Sequence, residues 1–217
     1  MRNSTFLTKV WFTQTLSFCG SVTLTFGTGI WIYEQIHQAL GVALGTTLLY
    51  LPAVLLSKTV SRYEKIYPPE EILLVTNVGS LVLWVTLCMA IQVLKDELPL
   101  IYAALFIGGG FRAFQVPAMS LLIRKYSPLK LLQHNIGLFS LGNAGVNIVG
   151  PGMGILLLQV NGVRALLLFN IVSYPLIIII LCNFFRNNCP KINGITQLTW
   201  KKPQSTIQKN IRKFLYC

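Results

Sequence analysis

Residues 72–94 read ILLVTNVGSLVLWVTLCMAIQVL and contain no charged side chain. An α-helix rises about 1.5 Å per residue, so about 20 apolar residues of this kind cross the roughly 30 Å hydrocarbon core of a bilayer. The stretch therefore predicts a transmembrane helix.

Five further apolar runs flank this stretch, and only 11% of the 217 residues are charged while 53% are hydrophobic. Soluble domains carry about a quarter charged residues. We therefore predict an all-α membrane protein, in which residues 1–185 form a six-helix transmembrane bundle and residues 186–217 a basic cytoplasmic tail. The predicted spans are about 10–33, 40–57, 72–94, 100–124, 136–159 and 163–185.

The basic residues indicate the orientation of the chain. Apart from Arg112, every Lys and Arg except Lys95 and Arg164 falls on one side of the predicted topology. That side is expected in the cytoplasm, together with both chain termini. The same short clusters argue against a nucleic-acid partner, which would require a basic stripe on a soluble face.

The tail has two interpretations. Its apolar residues repeat at helical spacing among Lys and Arg, which suits a short helix on anionic lipid. The alternative is a solvated, partly disordered tail. The residues concerned are Ile207, Ile211, Phe214 and Leu215.

Arg112 is the most informative single residue, because a guanidinium inside a bilayer almost always faces a bundle interior or a watered cavity. Gln115 follows three residues later on the same helical face. The functional interpretation is an anion or dipole partner beside a transport path. The structural one is an arginine bonded to carbonyls at a helix break, since Pro117 frees a backbone acceptor nearby.

The fifth predicted helix combines small and polar residues. Gly145, Gly150 and Gly154 let neighbouring helices approach closely, and Pro151 bends the helix. Asn143 and Asn147 share one face, where we expect them to bond to neighbouring helices or to line a cavity.

The chain shows no catalytic or metal-binding set, so we expect neither an enzyme nor a cofactor. The five cysteines form no close pair, and the chain has only two histidines. No carboxylate lies in the middle of a predicted span, where proton-coupled transporters usually keep one. All six acidic residues fall in loops or at helix ends, namely Glu34, Glu64, Glu70, Glu71, Asp96 and Glu97.

Three motifs carry a family resemblance over about residues 6–185. The first helix contains Trp11 and Gln14 and ends in WIYE at 31–34, the fourth contains FRAFQVPA at 111–118, and the fifth contains Gly150-Pro151 and Gly154. The chain resembles the N-terminal six-helix half of Major Facilitator Superfamily transporters, in the branch of macrolide-efflux and enterobactin exporters.

This resemblance implies a cell-membrane protein built from two inverted three-helix repeats, with its site near the midplane. It implies a substrate path or bundle interior that contains Gln14, Arg112, Gln115, Asn143 and Asn147. The partners that the resemblance implies are the lipid bilayer and a small-molecule substrate.

The loop after the second helix departs from the family pattern. Ser57, Ser61, Arg62 and Lys65 stand where the family has a glycine, an aspartate and two arginines. The resemblance implies that these four residues are the remnant of a gating loop, which in the family latches the inward face through charge pairs and a helix dipole.

The leading hypothesis is a half-length transporter that exports a small amphipathic molecule such as a drug or metabolite. One bundle cannot alternate by itself, so the chain is expected to pair with a second six-helix half or with itself as a homodimer. The alternative is a non-transporting protein, either a truncated remnant or a structural membrane partner.

Overall fold

The computed structural model describes residues 2–93, 97–128 and 131–187, and every regular helix or strand element in these ranges is an α-helix. The predicted all-α fold is confirmed for this part of the chain. The tail from residue 188 onward, Lys95 and Lys130 lie outside the described residues. The helices are α1 (Arg2–Ile36), α2 (Ala39–Leu55), α3 (Ser57–Ile66), α4 (Pro69–Val93), α5 (Glu97–Tyr126) and α6 (Leu132–Asn187).

Helix α6 contains a break that divides it into two arms. Asn161 has φ −150° and ψ 32°, and Gly162 has φ 58° and ψ −150°, neither of which is helical. The Gly162 conformation is accessible essentially to glycine alone, because it lacks a Cβ. We call residues 132–160 arm 6a and residues 163–187 arm 6b.

Arm 6a runs parallel to α1. A Cβ built on Gly142 would meet the side chains of Trp11 and Thr15. Twelve residues further on, a Cβ built on Gly154 would lie 3.2 Å from the backbone nitrogen of Gly27. Residue numbers rise together along both helices, so the two run in the same direction.

Arm 6b runs back along α1. Leu166 lies against Gly27, whereas the later Ser173 lies against Gly20. The chain therefore reverses at the break, and α6 supplies two spans. Together with α1, α2, α4 and α5 these arms make the six transmembrane helices that the sequence predicts.

The packing has the symmetry of two inverted three-helix repeats. In the second repeat α5 corresponds to α1, arm 6a to α2 and arm 6b to α4. Under this correspondence, the contact of α1 with arm 6a is equivalent to the contact of α5 with α2. Both pairs of helices run parallel. The hydroxyl of Tyr102 donates to the carbonyl oxygen of Gly41 at 2.9 Å, and Gly109 lies against Leu49 further along.

Two apolar clusters fill the two ends of the bundle. The cluster near the start of α1 contains Val10, Leu73, Leu122, Ile177 and Leu181. The cluster near the end of α1 contains Ile32, Trp84, Ile101, Leu166 and Leu167. Because lipid tails are as apolar as these side chains, close packing and not removal from water holds the two clusters together.

A belt of buried polar side chains separates the two clusters. It takes residues from α1, α4 and arm 6b, namely Ser17, Asn77, Ser80, Asn170 and Ser173, all at most 5% exposed. Polar groups are costly in an apolar interior unless they find partners. The belt is therefore the level of the bundle where polar chemistry is concentrated.

The structure places a helix, α3, in the segment after the second predicted span. Helix α2 has 17 residues, and α3 continues it after a bend of 51°. Helix α3 carries Lys58, Arg62, Glu64 and Lys65 and buries Val60. It is too polar for a hydropathy pattern to detect, because its apolar face is only one side of a short helix.

Candidate functional site

A cavity of about 300 Å³ opens at the level of the polar belt and touches all six spans. This volume lies at the lower end of the range of small-molecule sites, which is about 300–1,000 Å³. Its lining residues are Gln14, Ser17, Phe18, Ser21, Leu24, Thr25, Leu49, Ser80, Trp84, Leu105, Gly108, Arg112, Gln115, Val116, Met119, Phe139, Asn143, Asn147 and Tyr174.

Arg112 points into this cavity from α5 and is half-buried. Its Cζ lies 5.0 Å from the ring centroid of Phe18 and 6.0 Å from that of Tyr50. A guanidinium at these distances is attracted by the ring faces, by about 0.5–2 kcal/mol depending on desolvation. In the described ranges no carboxylate forms an ion pair with Arg112 and no hydrogen bond of its guanidinium is made.

Two glutamine side chains flank the arginine. Gln115 Nε2 donates to Ser80 Oγ at 3.4 Å, a long hydrogen bond between α5 and α4. Gln14 is 8% exposed, and its Oε1 has no partner among the described residues. The site therefore holds at least one amide oxygen that a ligand or a water molecule can satisfy.

Arm 6a contributes the other two amides. Asn143 is half-buried and Asn147 is exposed, and both line the cavity. Within the part of the chain that the structure describes, neither amide makes a hydrogen bond. These two side chains present donors and acceptors to the cavity rather than to a neighbouring helix.

The five residues that the sequence assigns to a substrate path thus lie on one cavity. They come from three helices: Gln14 from α1, Arg112 and Gln115 from α5, and Asn143 and Asn147 from arm 6a. The packing of arm 6a and α5 around α1 is what unites them.

The four residues assigned to a gating-loop remnant lie elsewhere. Ser57, Ser61, Arg62 and Lys65 are exposed on α3 and do not line the cavity. The hydroxyl of Ser61 donates to the carbonyl oxygen of Ser57 at 3.0 Å. In the described ranges, neither Arg62 nor Lys65 forms an ion pair.

The glycine motif of arm 6a divides in two. Gly150 packs against Val22, and Gly154 packs against the backbone of Thr23. Pro151 between them is half-buried. Gly145 is exposed, and no described heavy atom lies within 4 Å of a Cβ built there.

Sequence reasoning missed the aromatic part of the site and an ion pair between a buried glutamate and an exposed lysine. Trp84, Phe139 and Tyr174 line the cavity, but aromatic residues in apolar helices give no signal of the direction they face. Lys125 Nζ lies 2.7 Å from Glu70 Oε1, and Glu70 is 3% exposed. The sequence could have indicated this pair, because antiparallel packing of α4 and α5 brings Glu70 in the first turn of α4 beside Lys125 in the last turn of α5.

A metal centre has no support in the described residues, where no group of three His, Cys, Asp or Glu side chains is close enough to hold an ion. From the part of the chain that the structure describes, the cavity lining offers one cation, several amides and hydroxyls, and aromatic and aliphatic walls. Such a lining suits reversible binding of an amphipathic molecule.

The comparison with protein families agrees with this architecture. The family model of the Major Facilitator Superfamily matches residues 10–210. No curated protein and no solved structure matches the chain. The family match covers most of the chain, including all six spans, and the chain belongs to the Major Facilitator Superfamily of membrane transporters.

Proposed function

We propose that this chain is one six-helix bundle of an exporter, in the drug, macrolide and enterobactin exporter branch, that moves a small amphipathic molecule across the cell membrane. The observation that carries the proposal is the cavity at the polar belt, with Arg112 inside it. Transporters of this kind bind their substrate near the midplane and expose it alternately to the two sides.

The contacts of Arg112 support a transport role over a structural one. A structural arginine would bond to backbone carbonyls that a helix break such as Pro117 leaves free. Within the described residues Arg112 makes no such bond and contacts the faces of Phe18 and Tyr50. Its donors therefore remain available to a ligand.

The charge distribution supports termini in the cytoplasm. Lys9 near the start of α1, Lys58 in α3 and Arg124 near the end of α5 lie at the same end of the bundle. Arg164, just after the α6 break, lies at the opposite end. Positive residues favour the cytoplasmic side, so the α3 end is proposed to face the cytoplasm.

The partner that we propose is a second six-helix bundle, either a separate half or a second copy of this chain, in a lipid bilayer. Arm 6a supports this proposal because it presents an uncovered face around Gly145. Leu141 and Ile148 on that face are 70% and 80% exposed. Small residues at such a face let a helix of a partner approach closely.

A non-transporting membrane protein is the second candidate. The observation that favours it is α3, where Arg62 and Lys65 are exposed and form no ion pair among the described residues. A gating loop without charge partners is not expected to latch a transporter in one state.

Export from cells tests the proposed function. Cells that express the chain alone, or a covalent tandem of two copies, are loaded with a panel of dyes and macrolides that includes anionic, uncharged and cationic members, and efflux is followed. We expect efflux that Arg112→Ala abolishes and that Arg124→Ala, an exposed arginine of the same helix, retains. A membrane-inserted chain that exports nothing in either form contradicts transport with a second copy as the partner, and favours either a separate second half or the non-transporting candidate.

A further inference from the structure

We propose that the cavity selects organic anions: molecules with an aromatic body and a single carboxylate or sulfonate that binds Arg112. This inference rests on the proposed function, because it concerns the same cavity. It adds the charge of the substrate. The observation that supports the inference is that Arg112, a cation without a counter-charge among the described residues, lies between aromatic side chains.

The lining carries a net positive charge. Among the described residues, Arg112 is the one lining side chain that is charged at neutral pH, and no Asp or Glu of these ranges contributes to the wall. The sequence contains no acidic residue from 98 to 217, so arm 6a and arm 6b have none to offer. Glu70, the buried carboxylate of α4, is paired with Lys125 at 2.7 Å.

A cation in this position favours a bound anion. Inside a bilayer the surroundings screen charge weakly, so an uncompensated guanidinium attracts an anion more strongly than it would in water. The planar guanidinium matches a carboxylate or sulfonate with two parallel hydrogen bonds. The positive charge of Arg112 repels a cationic molecule and so excludes it from the cavity.

The walls define the remainder of the ligand. The rings of Phe18 and Tyr50 lie 5.0 and 6.0 Å from the guanidinium carbon, and Trp84 and Phe139 line the same cavity. An anionic group on the guanidinium would therefore place an attached aromatic body among these rings. The free Oε1 of Gln14 can accept a hydrogen bond from a hydroxyl of the ligand.

Three probes that share one ring system test the inference. The purified full chain in uncharged lipid nanodiscs is equilibrated by dialysis against 2-naphthoate, 2-naphthamide or 2-naphthylmethylammonium, and empty nanodiscs give the lipid background. We expect the naphthoate to bind at least tenfold more tightly than the amide, and the ammonium compound to bind most weakly.

Variants identify the source of the preference. Arg112→Gln should reduce the tenfold preference to less than about twofold, and Arg112→Lys should keep its sign. Arg124→Gln removes an exposed charge of the same helix and should change nothing. Size-exclusion chromatography verifies that each variant remains folded. If Arg112→Gln does not fold, the ranking of the three probes on the unmodified chain decides.

Three outcomes overturn the inference: equal or tighter binding of the amide or the ammonium compound, no naphthoate binding above the lipid background, or a preference that survives in folded Arg112→Gln. Failure of the proposed function is distinguishable. Anion-selective binding without export in cells would refute transport by this chain or its tandem and leave the inference standing. Export of uncharged or cationic compounds alone would support transport and refute the selection of anions.

Discussion

Gly109 sets the distance between α2 and α5, and its replacement by alanine gives the sharpest test of the packing. A Cβ at this position would lie 2.1 Å from the carbonyl oxygen of Leu49 and 2.9 Å from its carbonyl carbon. Ordinary van der Waals contact begins at 3.4 Å, so the separation is about 1.3 Å too short. The opposing atoms belong to the backbone, so no side-chain rotation relieves the overlap and the two helices must separate.

The cost follows from the size of this overlap. Inserting a methyl group into a well-packed interior costs about 1–3 kcal/mol, and more where the backbone must shift. Alanine recovers about 0.5–1 kcal/mol in a helix because it restricts the unfolded chain. We therefore expect Gly109→Ala to destabilise the bundle by about 1–2 kcal/mol. Leu49 lines the cavity, so the same shift should weaken ligand binding.

The neighbouring Gly110 provides the matched control. A Cβ there would meet only Leu56 Cδ1, at 3.8 Å, which is an ordinary contact. Gly110→Ala should therefore be neutral or stabilising by up to about 1 kcal/mol.

The assay is thermal unfolding in detergent, followed by size-exclusion chromatography after heating. At about 2–4 °C per kcal/mol for a chain of this length, Gly109→Ala should lower Tm by roughly 2–8 °C. Gly110→Ala should leave Tm unchanged or raise it. A Gly109→Ala chain as stable as Gly110→Ala would refute the close approach of α2 to α5.

Three further predictions, which use five substitutions, test other contacts. Lys125→Met should lower stability more than Glu70→Gln, by about 1–3 kcal/mol, because it leaves a buried carboxylate without its cation and with only the hydroxyl of Tyr126 as a hydrogen-bond donor among the described residues. Thermal unfolding at neutral pH compares the two variants, and the opposite order would contradict the ion pair. Gly162→Ala should destabilise the bundle by about 1–3 kcal/mol, because the φ of 58° at this position is unfavourable for a residue with a Cβ. A lower Tm is the expected measurement, and an unchanged Tm would contradict the sharp break in α6. Gly154→Ala should destabilise and Gly152→Ala should not, since only the first would meet the backbone of α1; equal thermal stability of the two variants would contradict the packing of arm 6a.

The spans could be predicted from the sequence because lipid imposes a simple rule of length and apolarity. The reversal between the last two spans also had a local signal, since Asn161-Gly162 is a dipeptide typical of turns. Helix α3 had no comparable signal, because a short amphipathic helix at a membrane surface is polar in composition.

The candidate site was predictable where polar side chains interrupt apolar helices. Arg112 stands out because a charge in a bilayer is costly, and the spacing of Asn143 and Asn147 puts them on one face. The aromatic wall was not predictable, since Trp84 and Tyr174 resemble any other apolar residue of a span until neighbouring helices are placed. The partner of Glu70 likewise depends on which helix ends lie side by side.

Arm 6a turns its polar face to the cavity, and thiol labelling tests directly whether that face borders an aqueous path. Asn143→Cys and Ile148→Cys are made in a chain whose five native cysteines are replaced, and vesicles of both orientations are treated with a membrane-impermeant reagent. The reagent attacks a thiolate, which forms in water and not in lipid. We predict rapid labelling at position 143 from at least one side and none at position 148, which is 80% exposed on the apolar face. A thiol at position 143 that is unreactive from both sides, or that reacts no faster than the thiol at position 148, would contradict a water-filled cavity beside arm 6a.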